Sequence, residues 1–221
     1  YAAVYTADGT TVLWLAATYV FFIAALKLRG EGKLRFAAPA VCSAALLAAV
    51  LISARAESAR ESSFSVLDVG QGQSIALICG ENAAIIDCGG KNSLDNAGDT
   101  AADFLLSRGR RGIDALVLTH LHDDHANGVL RLMYRVDVGG LYYPDNAEDA
   151  DGDLAVILAA AEELGVEAHP VSEDGALSFG GLSLELYAPA EDSRDNERGL
   201  IIRAGLPGLD AVITGDAARL C

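Results

Sequence analysis

His120-Leu121-His122-Asp123-Asp124-His125 follows the apolar run Ile113-Asp114-Ala115-Leu116-Val117-Leu118, and reading these two stretches together decides the fold. The run has the composition of a buried strand, and the polar cluster is the loop delivered at its C-terminal end. In extended backbone, residues two apart point to the same side, so His120 and His122 can hold one ion. A turn directly after them would present Asp124 and His125 to a second ion. Imidazole nitrogens and a carboxylate suit zinc, and also manganese or iron, so the spacing argues for a two-metal site suited to hydrolysis. So dense a cluster of polar side chains has no packing reason of its own.

Upstream, Phe64 to Val69, Ile75 to Cys79 and Ala83 to Asp87 are short apolar or alternating runs separated by Gly70-Gln71-Gly72 and Gly80-Glu81-Asn82, which predicts three strands in a meander. Thr100 precedes Ala101-Ala102-Asp103-Phe104-Leu105-Leu106 and Gly109 stands beyond, the pattern of a capped helix. Downstream, the spacing predicts helices over 128–134 and 154–164. It predicts strands near 140–143, 166–168, 182–187, 200–203 and 211–214. Runs of strands with helices between them describe an α/β domain of sheets covered by helices. No internal repeat or low-complexity tract interrupts it.

Composition divides the chain. The 221 residues carry a net charge of −15, but residues 1–61 hold six Lys/Arg against four Asp/Glu, leaving −17 on residues 62–221. Residues 10–26 and 36–54 are uncharged and apolar, and a helix needs roughly 20 such residues to cross a hydrocarbon core about 30 Å thick. The expectation is two transmembrane helices within a 1–61 unit, followed by a hydrolase domain over 62–221. The basic loop from Lys27 to Arg35 would lie in the cytoplasm and the domain outside it, at a bacterial inner or plasma membrane. The start at Tyr1 and the end just after a strand-like segment suggest a piece of a longer, multi-pass chain. Cys42, Cys79, Cys88 and Cys221 show no CxxC spacing, which argues against a zinc ribbon; a Cys79–Cys88 bond is open from sequence.

The HxHxDH pattern between a strand and a helix resembles the metallo-β-lactamase superfamily. Ile85-Ile86-Asp87-Cys88-Gly89-Gly90 looks like its upstream acidic motif, and Val212-Ile213-Thr214-Gly215-Asp216 like its downstream acid. Phe64-Ser65-Val66-Leu67-Asp68-Val69-Gly70-Gln71-Gly72-Gln73-Ser74 further resembles the opening of the domain that follows the membrane helices of ComEC-type competence proteins. Asn196-Glu197-Arg198-Gly199-Leu200-Ile201 also fits that family. The resemblance implies an αββα sandwich, incomplete at the C-terminus, preceded by transmembrane helices.

It further implies a DNA-uptake protein whose domain hydrolyses DNA phosphodiesters with two divalent metal ions, zinc or manganese. His120 and His122 would bind the first ion, Asp124 and His125 the second, and Asp216 would bridge them. Asp87 would orient a histidine and Asp124 would also hold a proton during catalysis. DNA, the membrane and other uptake proteins are the implied partners. The chain departs from the pattern at Gln73 and Cys88, where the family often has Asp and Thr. It also lacks an evident intermediate histidine ligand, because His169 reads as a strand-edge residue. The domain's acidity offers no basic stripe for DNA, leaving Arg108, Arg110 and Arg111 as a local patch. Hydrolysis of another ester, lactam or thioester, or a DNA-guiding role without catalysis, fits the same motifs.

Overall fold

A computed structural model describes residues 9–27, 34–91, 96–145, 152–189 and 199–216. The chain divides into two compact units, Tyr1–Arg60 and Glu61–Cys221.

The first unit contains α1 (Gly9–Lys27) and α2 (Leu34–Ser58). Trp14 Nε1 donates to the Ser43 carbonyl at 2.9 Å, and the Thr18 and Ser43 hydroxyls lie 2.8 Å apart. Both predicted apolar runs are helical, but among the described residues no helix is long and apolar enough to cross a membrane, which overturns the expected transmembrane pair. The uncharged stretch of α1, residues 9–26, extends roughly 27 Å at about 1.5 Å per residue, short of a hydrocarbon core of about 30 Å. In α2, Pro39 interrupts the backbone ladder and much of the sequence is alanine, whose side chain contributes little apolar area. The basic loop lies outside the described residues apart from its ends.

In the second unit, β1 (Ser62–Val66), β2 (Ser74–Cys79) and β3 (Asn82–Cys88) form the expected antiparallel meander. Next come α3 (Ala97–Ser107), β4 (Gly112–Ile113), β5 (Ala115–Val117), α4 (Asp123–Ala126), α5 (Val129–Met133), β6 (Asp137–Val138) and β7 (Gly140–Pro144). The chain continues through α6 (Asp153–Leu164), β8 (Glu167–Val171), β9 (Gly175–Phe179), β10 (Leu182–Tyr187), β11 (Ile201–Leu206) and β12 (Leu209–Ile213). The main sheet has the order β1-β2-β3-β5-β7-β8, and β3, β5, β7 and β8 run parallel. An antiparallel sheet of order β12-β11-β10-β9 packs against it.

The sequence patterns follow from these layers. Each residue of β2 is buried, because helices cover one face of the main sheet and the second sheet covers the other. Ile78, Ile85, Leu116 and Leu141 pack with α3, α5 and α6, whereas Leu77, Ile86, Ala115 and Val117 meet Leu182, Leu184, Ile202 and Ile213 of the second sheet. By contrast β10 alternates, with Leu182, Leu184 and Leu186 buried and Ser183 and Tyr187 exposed, as suits a sheet packed on one face only.

Several local expectations shift. Helix α3 begins earlier than Thr100 implies: Asn96 is its N-cap, its Oδ1 accepting from Gly98 N at 2.9 Å. Asp114 leaves the strand ladder and its carboxylate accepts from Ala83 N at 2.9 Å, which splits the predicted strand into β4 and β5. β8 runs on through Pro170, which it can do as an edge strand of the main sheet. Cys79 and Cys88 are free: they lie at opposite ends of the β2–β3 hairpin, Cys79 opposite Asn82 and Cys88 opposite Ser74.

Candidate metal centre

The site is built where β3 and β5 end side by side. After β5 the chain bends at Thr119 and His122, then closes one helical turn, with the His122 carbonyl accepting from His125 N at 2.8 Å and Ala126 N at 2.9 Å. That turn does what the sequence spacing requires. The His120 and His122 rings lie nearly parallel with centroids 5.9 Å apart, and the His120 and His125 rings are 5.3 Å apart. His120 and His125 are buried, while His122 and Asp124 are half-buried.

Asp216 arrives from a distant part of the sequence, just past β12. Asp124, His125 and Asp216 offer ligand atoms that all lie within 4.8 Å of one another. His125 Nε2 stands 3.6 Å from Asp216 Oδ1. Close packing fixes the approach of this segment: Gly215 has φ +50°, and a Cβ there would lie 2.6 Å from Thr119 Oγ1 and 2.9 Å from His120 Nδ1. Gly199 is pressed equally hard on the His120 ring, held by the Leu200 N–H donating to the Thr119 carbonyl at 2.9 Å.

Asp87 is fully buried and takes a positive φ of 56°, which Asp tolerates better than most residues. Its Oδ1 accepts from Thr119 N at 2.7 Å. Its Oδ2 accepts from Thr119 Oγ1 at 2.6 Å and Gln73 Nε2 at 2.7 Å, and lies 2.8 Å from His125 Nδ1. A buried carboxylate surrounded by donors directs the Nδ1 proton of His125 toward itself and leaves Nε2 facing Asp216. Burial disfavours charge on the His125 imidazole. The hydrogen bond to Asp87, with the charges of Asp87, Asp216 and Asp124, outweighs it and holds the His125 pKa above its ordinary value. Cys88, next in sequence, is a buried thiol pushed up to about 12 by burial and by the Asp87 charge.

A profile of the metallo-beta-lactamase superfamily matches residues 67–219, which hold each of these side chains. The chain belongs to the metallo-beta-lactamase superfamily. Members of this superfamily are mostly metal-dependent hydrolases and bind divalent metals, usually zinc. Among curated proteins the chain is similar to ComE operon protein 3 of Bacillus subtilis (strain 168), 25% identical over 175 residues; the match covers 72% of this chain and 22% of that protein. Among solved structures the chain is similar to the metallo-beta-lactamase fold protein YhfI of Bacillus subtilis, with TM-score 0.49 and 14% identity over 70% of this chain and 62% of that one. Another is the Cronobacter sakazakii metallo-beta-lactamase with a HARLDQ motif, with TM-score 0.48 and 16% identity over 68% of this chain and 58% of that one.

Other sequence candidates fall elsewhere. His169 sits on β8 opposite Tyr142, the two rings stacked with centroids 4.8 Å apart, and it is not among the grouped ligands. Arg108 and Arg110 reach Glu61 at 2.5 and 3.4 Å, so two of the three arginines expected to meet DNA are committed to an ion pair within the domain. Asp68 accepts from Gly70 N at 3.3 Å as a turn former. Asn196 lies outside the described residues. Sequence reasoning missed Thr119, which clamps Asp87 with both its amide and its hydroxyl, and the steric role of Gly199. The signal for Thr119 was present, since a hydroxyl one residue before a ligand at a strand end can turn toward the neighbouring strand.

Proposed function

We propose that this chain is a metal-dependent phosphodiesterase related to competence proteins, hydrolysing DNA during uptake with two divalent ions, zinc or manganese. The observation that carries the reading is the convergence of Asp124, His125 and Asp216 beside His120 and His122. One imidazole has its far nitrogen fixed by a buried carboxylate and two carboxylates face it, a donor set that fits a divalent ion. His120 and His122 would hold one ion, Asp124 and His125 the other, and Asp216 would be shared.

Bound ions would supply Lewis acidity toward a phosphoryl oxygen and lower the pKa of nearby water. The chain's own groups do the rest. Asp87 and Thr119 keep His125 in one orientation, Asp124 receives the proton of the attacking water on a carboxylate oxygen, and the half-exposed Asp216 faces the solvent side from which substrate enters. A domain of net charge near −17 repels a polyanion, and bound divalent ions would lower that repulsion locally at the site. The likeness to ComE operon protein 3 supports uptake as the setting and a membrane-associated role, with other uptake proteins as partners. One observation favours a second reading, DNA guidance without turnover: His169 is stacked on Tyr142 instead of joining His120 and His122.

The test is metal content of the purified chain together with zinc- and manganese-dependent cleavage of single- and double-stranded DNA, with Asp124→Ala and Asp216→Ala alongside. Two ions per chain and cleavage lost in both variants are expected. Metal-loaded protein without cleavage favours guidance, and a wild-type chain that takes up no metal removes the assigned site.

A further inference from the structure

Residue 73 is bonded into the site from three directions, twice through its backbone and once through its side chain. Gln73 N donates to the Asp124 carbonyl at 2.9 Å, its carbonyl accepts from Gly89 N at 3.1 Å, and its Nε2 donates to Asp87 Oδ2 at 2.7 Å. One residue therefore ties the β1–β2 loop to the turn bearing Asp124 and His125 and to the segment bearing Asp87. We propose that Gln73 is a positioning residue that fixes Asp87 against His125 and thereby sets metal affinity at the Asp124–His125–Asp216 cluster. This rests on the metal-binding reading above.

The argument is one of donors and acceptors. Asp87 Oδ2 has three close neighbours, the Gln73 amide, the Thr119 hydroxyl and His125 Nδ1. With Asp87 an acceptor, the Gln73 carboxamide must turn its NH₂ inward, because its oxygen would meet another oxygen. This donor completes the cage that keeps the carboxylate where it can receive the His125 Nδ1 proton. An Asp at position 73 would bring a second carboxylate toward Asp87 in place of a donor. Gln73 thus supplies one of the donors that the Asp87 carboxylate requires. The site is also closely packed: a Cβ at Gly72 would lie 2.5 Å from Gly89 O and 2.7 Å from Asp124 O, so the Gln73 backbone has little room to shift.

The experiment compares zinc affinity of the full chain by competition with a chromogenic chelator in wild type, Gln73→Met and Gln73→Asn. The Met variant keeps length without a donor. The Asn variant keeps the amide but falls one methylene short. Partners that directly orient a metal-ligating histidine typically contribute about 10–100-fold in affinity, and Gln73 acts through Asp87, so a loss of up to about tenfold is expected in both. Wild-type affinity in either folded variant overturns the proposal. Because substitution could impair folding, ¹⁵N chemical shifts of His125 are also recorded on the metal-free wild-type chain at alkaline pH, where the imidazole is neutral. The Nδ1–H tautomer is expected, and the Nε2–H tautomer overturns the proposal without any variant. Failure of wild type to bind zinc, with the Nδ1–H tautomer intact, would instead count against the metal reading and leave the hydrogen-bond assignment standing.

Discussion

Replacing Asp87 by Asn isolates the contribution of one carboxylate to the site. Asn accepts the positive φ of 56° as readily as Asp, so the backbone conformation is retained and only the charge and one acceptor are removed. The Asn oxygen keeps the bond from Thr119 N. Its NH₂ then occupies the Oδ2 position, where it faces the Gln73 amide, the Thr119 hydroxyl and His125 Nδ1. The hydroxyl can rotate and the Gln73 carboxamide can flip, but His125 Nδ1 must become an acceptor, which moves its proton to Nε2.

Hydrogen bonds to a buried charge contribute about 1.5–3 kcal/mol each, and rearrangement recovers part of that, so a net loss of about 2–3 kcal/mol of stability is expected. The effect on metal is separate. With the proton on Nε2, the nitrogen that faces Asp216 has no lone pair to offer, and zinc affinity should fall about 10–100-fold. Urea unfolding of the metal-free chain reads the first effect and chelator competition the second. A variant with wild-type zinc affinity, or one whose unfolding midpoint does not move, would refute the orienting role of Asp87.

Other outcomes follow from the packing and the charges. Gly199→Ala places a methyl inside the His120 ring, and overpacking of this kind costs about 1–3 kcal/mol, so the urea midpoint should fall; an unchanged midpoint would mean that the segment is loosely seated. Cys88, with its pKa at about 12, should resist iodoacetamide in the folded chain and react only on denaturation, as mass spectrometry of the alkylated peptide would show. Asp99 accepts from Arg131 Nε at 2.9 Å and Arg135 Nη1 at 2.8 Å, and the Arg131 hydrogen bond first, then Arg135, holds its pKa below the usual carboxylate value. A lowered folded-state pKa means this stabilisation is full above the unfolded pKa and is lost as pH falls through the folded one. Asp99→Asn should therefore cost about 0.5–1 kcal/mol at neutral pH and nothing at strongly acid pH, by denaturant titration at both.

The α/β pattern and the strand before the histidine loop were both legible in the sequence. They depend on local periodicity and charge, and the same is true of the turn that carries Asp124 and His125. Membrane crossing was not legible: an uncharged run marks apolar character, while crossing also depends on the length and apolarity of the helix that forms. Helix α3 started at Asn96 because its side chain reached Gly98 N, a competition among nearby capping residues that sequence spacing alone does not rank.

At the site, residue types and their order on the chain already identified His120, His122, Asp124, His125 and Asp216 as candidate ligands, since few patterns place so many donors together. Only the tertiary structure brought Asp216 to within 3.6 Å of His125, left His169 on Tyr142 and engaged Arg108 with Glu61. It alone also showed that Asp87 is enclosed by Gln73, Thr119 and His125. The physical reason is that ligand type is a property of a side chain, whereas the distance between side chains from separate strands is set by sheet order and register, which depend on packing across the whole domain.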